Sequence, residues 1–206
     1  MEIERKIRTY GGYFEEFMKT LTENEQNKIQ YGLLLLKTQE RLSRKFVSLI
    51  RDGIFELRTE YNSNIYRVFF IFDEGNVVAL FNGFQKKTQK TPNSEIEKQL
   101  KSRRNIMQTN NHEIADYDAV LDAKFGAKGT ESRAKAEEKA YAFYTGQIIE
   151  DARKKAKISQ AELARRIGSD RPYISRVESG QTEPKVSTFY RIMNALGCQI
   201  EFSMTL

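Results

Sequence analysis

The stretch Ile158-Ser159-Gln160-Ala161-Glu162-Leu163-Ala164-Arg165-Arg166-Ile167-Gly168, continued by Ser169-Asp170-Arg171-Pro172-Tyr173-Ile174-Ser175-Arg176-Val177-Glu178-Ser179-Gly180, reads as two short helices joined by a tight turn. Ser159 is placed to accept from the backbone N–H three residues on while Glu162 reaches back. That capping box starts a helix where the apolar residues Leu163, Ala164 and Ile167 begin. Gly168 ends it, because glycine adopts the left-handed backbone of a sharp reversal without a Cβ clash. Asp170 is placed to cap the next helix, and Pro172 falls in its first turn, where an N–H has no intrahelical partner to lose. Ile174 and Val177 then face the first helix, which leaves Asp170, Arg171, Tyr173, Ser175 and Arg176 outside until Gly180 stops the run.

The pattern Ser159-Gln160-x-Glu162-Leu163-Ala164, Gly168, Ile174-Ser175-x-x-Glu178-x-Gly180, Pro184 and Ala195-Leu196-Gly197 resembles the Cro/repressor type of helix-turn-helix domain, the xenobiotic-response-element family, over about residues 145–197. The resemblance implies that Gln160 touches a phosphate and that Arg171 and Tyr173, near the start of the recognition helix, reach base edges. Arginine suits the O6 and N7 of guanine. Asp170, Ser175, Arg176 and Lys185 complete the candidate DNA-binding set, with operator DNA as partner. Pro172 stands where many relatives carry a polar residue, so one usual contact is missing. The bland alternative is a small helical bundle in which Ser159, Glu162 and Glu178 serve only as caps and braces.

A helical domain of this kind takes about 60–70 residues, so a chain of 206 residues implies a second domain with its own core. A lone cysteine, Cys198, excludes an internal disulfide and a cysteine metal cluster, and fits a reducing compartment. His112 is the single histidine, so no metal and no cofactor are expected and His112 reads as a surface residue. No apolar run approaches the length of a membrane span, and Met1-Glu2-Ile3-Glu4-Arg5 is too charged for a signal peptide, so a cytoplasmic, membrane-free protein is expected. The net charge of +6 divides into +5 over 1–106, −3 over 107–150 and +4 over 151–206. Basic blocks suit polyanions, and an acidic segment between them suits an intramolecular partner; a mixed solvated surface gives similar numbers.

Residues 1–106 read as an α+β unit, helices packed on a small antiparallel sheet. A strand is expected over 2–10, and helices over 13–20 and 23–40, where Phe14, Phe17, Met18 and Leu21, then Ile29, Leu33 and Leu36, recur at helical spacing. Three β-rich runs follow at 54–61, 65–72 and 77–84. Asn62-Ser63-Asn64 and Asp73-Glu74-Gly75-Asn76 separate them, which gives a meander. The central run is apolar on both faces except at Arg67, and a charge so placed must reach an edge or a partner. A charged helix is expected from about Pro92 to Ile106.

The combination Glu56-Leu57-Arg58, Tyr66-Arg67-Val68-Phe69 and Phe84-x-Lys86-Lys87-Thr88-x-Lys90-Thr91-Pro92 resembles the RelE/ParE superfamily, in its HigB-like, phage-derived killer branch, over about residues 1–104. The resemblance implies a ribosome-dependent mRNA endonuclease in which an internal 2′-hydroxyl attacks the adjacent phosphate and leaves a 2′,3′-cyclic phosphate. Such a site needs cations more than a histidine, since charge stabilisation and in-line positioning carry much of the acceleration. Arg58 and Arg67 are the candidate phosphate-orienting groups, Lys86 and Lys87 the clamp or proton donors, Glu56 a weaker candidate for proton transfer. Lys90, Arg103 and Arg104 are candidate RNA contacts. The structural alternatives are an ion pair of Glu56 with Arg58 and a solvated loop over 86–90.

Residues 107–144 read as an arm or linker, with a helix carrying Tyr117, Val120, Leu121 and Phe125, breaks at Gly126 and Gly129, and an Ala-rich helix over 133–144. Met107 stands where a separate antitoxin would begin, and the arm together with the DNA-binding domain resembles HigA-type antitoxins. The acidic segment 113–150 has the composition to lie on the N-terminal domain, burying Tyr117, Leu121 and Phe125 with Asp116, Asp118 and Asp122 near cations. Residues 145–206 read as the DNA-binding domain, whose end alternates Ile200, Phe202 and Met204 as a short strand expected to pair with its copy in a homodimer or to join an exposed sheet edge. The reading is a toxin–antitoxin fusion: a ribosome- and mRNA-directed module silenced by an attached, operator-binding module. The alternatives are a regulator with an inert RelE-like domain and a ParE-like toxin directed at gyrase.

Overall fold

Short turns built from residues that accept positive φ set where the sheet reverses. The computed structural model describes residues 4–39, 42–73, 77–86 and 114–200, with Ser94, Glu97 and Lys101. Its strands are β1 (Lys6–Tyr10), β2 (Val47–Arg51), β3 (Ile54–Tyr61), β4 (Asn64–Asp73), β5 (Val77–Lys86) and β6 (Ile114–Asp116). Asn62 and Ser63, at φ 49° and 65°, join β3 to β4, and Asp52-Gly53, at 52° and 73°, joins β2 to β3. Positive φ at both central residues is what a two-residue hairpin with right-twisted strands requires.

These strands form one sheet in the order β2-β3-β4-β5-β1-β6. The expected meander is β3-β4-β5. The sheet departs from the expected one in three ways: β2 and β6 are added, and β1 lies parallel to β5, so one pair in an otherwise antiparallel sheet is parallel. The first strand begins at Lys6, with Glu4 and Arg5 outside it, and residues 2 and 3 of the expected strand lie outside the described residues.

On one face sit α1 (Tyr13–Lys19) and α2 (Glu23–Thr38). Thr22 starts α2 as a capping box: the Glu25 carboxylate accepts from the Thr22 N–H at 2.8 Å while the Glu25 N–H points back to the Thr22 hydroxyl. Ile7, Phe14, Ile29, Leu33, Leu57, Tyr66, Val68 and Phe70 close the core between helices and sheet. Alternation along β4 sends Phe69 and Ile71 to the other face, where they meet Tyr10 and Ile54 in a second cluster.

The chain divides into two compact units, Met1–Glu137 and Glu138–Leu206. The first also holds α3 (Asp118–Phe125) and the start of α4 (Glu131–Lys155). The Ala-rich helix expected over 133–144 thus runs on to Lys155, since nothing between Tyr144 and Lys155 breaks it except Gly146. That glycine is tolerated for its size: a Cβ there would lie 2.2 Å from the Val177 carbonyl oxygen. The second unit adds α5 (Gln160–Ile167), α6 (Arg171–Glu178) and α7 (Val186–Ala195) around Ile149, Leu163, Ile167, Ile174, Val177 and Ile192. The expected terminal strand begins at Cys198, yet Cys198, Gln199 and Ile200 have no strand pairing, and 201–206 lie outside the described residues.

Candidate nucleic-acid interfaces

The two-residue turn at Asn62-Ser63 fixes the β3–β4 register, and that register sets Arg58 directly opposite Arg67, on the sheet face away from α1 and α2. Like charges so placed repel, and each arginine has a carboxylate to offset this. Arg67, only 8% exposed, donates through Nη1 to both carboxylate oxygens of Glu56, itself buried and also accepting from the Ser48 hydroxyl at 3.2 Å. Arg58 donates to Glu60. The ion pair expected between Glu56 and Arg58 is therefore exchanged for two others, Glu56 with Arg67 along the diagonal of the register and Arg58 with Glu60 two residues along the strand. Each arginine keeps a buried Nε–H without a partner among the described residues. Both guanidinium charges are thus matched by carboxylates on this face.

Lys86 closes β5 opposite Ile65 in register. Lys87, Lys90, Arg103, Arg104 and His112 lie outside the described residues. The expected helix from Pro92 to Ile106 is described only at Ser94, Glu97 and Lys101, of which Glu97 pairs with Arg51.

Residues 114–125 are built into this first unit. Ile114, Ala115 and Asp116 pair antiparallel with Tyr10, Thr9 and Arg8, and the Tyr117 N–H donates to the Ile7 carbonyl at 3.0 Å. Tyr117 and Leu121 are buried in the helix-side core. The Tyr117 ring stands edge-on to Phe14 at 5.1 Å, and its hydroxyl accepts from Gln30 at 3.1 Å. Burial pushes its phenol up. Phe125 meets Tyr31 at 5.8 Å. Of the three aspartates, Asp118 takes the expected role: buried Lys37 donates to it at 2.6 Å and the Ile7 N–H at 3.2 Å. Asp122 instead binds Arg133 of its own segment at 2.9 Å, and Asp116 accepts the Asp118 N–H. The helix of this arm packs on the face opposite Arg58 and Arg67.

In the second unit the turn takes the expected form. Ser159 accepts the Glu162 N–H at 3.1 Å, Asp170 accepts the Tyr173 N–H at 2.6 Å, and Gly168 is left-handed at φ 66°. One half of the expected capping box is absent, because the Glu162 carboxylate turns to Arg165 at 2.9 Å and Arg166 at 2.8 Å, which hold it down to about 2. Arg171, Ser175 and Arg176 are exposed along the outer side of α6, and Lys185 is exposed just before α7. Tyr173 is half-buried against the core, and Asp170 spends an oxygen on its cap. Gln160 is tied inward: its amide donates to buried Glu178 at 2.9 Å, and Glu178 is gripped by Arg153 at 2.6 and 2.9 Å. This bond raises the arginine further. The Gln160 amide has a second N–H beyond its bond to Glu178.

Arg153 was not among the sequence candidates. The signal for it was Glu178, a carboxylate beside Val177 on the apolar side of α6, where a buried charge demands a cation. Among the described residues no group of three or more His, Cys, Asp or Glu is placed to hold a metal ion, and no helix is long and apolar enough to cross a membrane.

An α+β unit followed by two short helices at a tight turn, the second with an exposed outer side, defines a two-module protein. Residues 16–104 match the family described as Phage derived protein Gp49-like (DUF891), and residues 149–203 match Helix-turn-helix. The chain thus carries a Gp49-like, toxin-like domain and an XRE-type helix-turn-helix domain. No curated protein matches it. Among solved structures, the restriction-modification controller protein C.AhdI from Aeromonas hydrophila is similar at 28% identity over 31% of this chain and 91% of its own, with a TM-score of 0.30.

Proposed function

We propose that this chain is a self-silenced toxin–antitoxin fusion. Its first module is a HigB-like, ribosome-dependent mRNA endonuclease, and the rest is a HigA-like antitoxin that represses its own operator. One observation carries the reading: strand β6 and helix α3, which lie in the antitoxin-like part, complete the sheet and the core of the toxin-like domain. In-register Arg58 and Arg67, with unpartnered Nε–H groups, supply the cations that a phosphodiester transition state requires. Lys86 and Lys87, with Lys90, Arg103 and Arg104, extend the positive charge for RNA. On the DNA side Arg171, Ser175 and Arg176 read bases, with Tyr173 and Asp170 bracing the start of the helix, while Gln160 and Lys185 hold phosphates.

The second reading, a regulator whose first domain is inert, is favoured by the Glu56 carboxylate that already occupies Arg67. The two separate in cells that express the intact chain, residues 1–137, or residues 1–113, each with an Arg58→Ala control. The fusion reading expects growth arrest and new mRNA ends within translated codons from a truncated chain and not from its control. If 1–137 is silent and 1–113 toxic, the arm itself silences; if 1–137 is toxic, the DNA-binding unit excludes the module from the ribosome. Intact mRNA throughout, with residues 1–113 shown by circular dichroism to be folded, supports the inert reading, and DNA damage with intact mRNA supports a gyrase-directed toxin.

A further inference from the structure

The turn between α4 and α5 holds a strained lysine. Helix α4 ends in two bonds, Lys157 N–H to the Lys154 carbonyl at 3.1 Å and Ile158 N–H to the Arg153 carbonyl at 3.3 Å. That pairing defines a Schellman end with Lys157 at the left-handed position, and Ile158 and Ala152 pack with the same core. Lys157 sits there at φ 57°. Glycine fills this position without a Cβ clash, whereas a lysine is strained in it.

Nothing in the packing of the unit calls for a lysine here. Its side chain is exposed. Its neighbours are engaged, Lys154 with Glu150 at 2.8 Å and Lys155 with Asp151 at 2.9 Å, while the Lys157 ammonium has no partner among the described residues. Two residues on come the Ser159 cap and then Gln160, whose amide is held by Glu178 with one N–H to spare. Backbone strain retained beside an interface is a mark of function rather than stability.

From these observations we infer that Lys157 is a further phosphate-binding residue of the DNA interface, its charge retained at a position where glycine would be the more stable choice. The inference rests on the DNA-binding reading of the second unit. It assigns Lys157 to holding the duplex and not to reading it, since a flexible ammonium is a point charge that any phosphate satisfies.

The test uses the full chain with Lys157→Gly and Lys157→Arg, titrated against a fluorescently labelled mixed-sequence DNA duplex over a range of salt, alongside thermal unfolding. Lys157→Gly is expected to raise the unfolding midpoint while flattening the salt dependence of binding by about 0.9 in log–log slope. Across a fourfold rise in salt, that is about 3.5-fold less affinity lost than in the parent chain. Lys157→Arg is expected to keep the parent slope. A parent that binds duplex DNA together with a Lys157→Gly chain of unchanged slope overturns the inference alone. A parent with no salt-dependent duplex binding overturns the DNA-binding reading beneath it.

Discussion

Tyr66 illustrates how a single polar group ties helix to sheet. It is 1% exposed, and its hydroxyl donates to Glu25, the residue that also caps α2. Burial, then the Glu25 carboxylate, pushes the phenol up to about 12, and the hydroxyl and the Thr22 N–H hold Glu25 below its ordinary value. A phenol whose folded pKa exceeds its unfolded value gives stability that is fully present below about pH 10 and is lost as pH rises towards 12. Glu25, shifted downward, gives stability present above its unfolded value and lost as pH falls through the depressed one. Tyr66→Phe should cost about 1.5–3 kcal/mol at neutral pH and flatten the alkaline loss. Urea midpoints from pH 7 upward check this; curves that stay parallel would refute it. Lys37 and Asp118 make a second case, because Asp118→Ala strands a buried ammonium, with about 3–5 kcal/mol expected against a much smaller effect for an exposed aspartate.

At the scale of elements, what the sequence revealed was whatever local chemistry determines. Gly168, Ser159 and Asp170 mark the helix boundaries of the turn by their own backbone and capping preferences, and the turn forms where they stand. Asp52-Gly53 carries a strong hairpin signal of the same kind, and β2 stands before it. Asn62-Ser63-Asn64 is legible as a turn, but not its contraction to the two residues Asn62 and Ser63, which sets the register that faces Arg58 with Arg67; the pairing of Glu56 with Arg67 follows from that register. Strand β6 had no such signal, since three residues become a strand only because the edge of β1 is there to receive them. On the DNA-binding side, Arg171→Ala should reduce discrimination at one base pair by about 1–3 kcal/mol, whereas Lys185→Ala should weaken binding evenly and lower the salt slope by about one. Equal losses on operator and random duplexes for Arg171→Ala would contradict its role. A groove lined by Tyr190, Met193, Cys198 and Ile200 lies where the chain enters its last residues. We expect deletion of 198–206 to weaken a homodimer, read by sedimentation; an unchanged dimer rules this out.

For the molecule as a whole, the +5, −3, +4 succession of charge along the chain finds only part of its explanation in ion pairs. Asp118 joins Lys37, but Lys128 pairs with Glu4 at 2.9 Å in the opposite sense, and the acidic segment is held mainly by apolar burial and backbone pairing. Residues 114–125, which follow the Gp49-like match, are thus part of the fold of the first unit, so they leave only when that core opens. Amide hydrogen exchange on the intact chain tests this most directly. The Tyr117 amide, bonded to Ile7, and the Leu121 amide should open with the same free energy as core amides of β3 and β4 such as Leu57 and Val68. Exchange of Tyr117 and Leu121 orders of magnitude faster than that of the sheet would show that the arm detaches from a domain that stays folded without it, and would contradict the shared core.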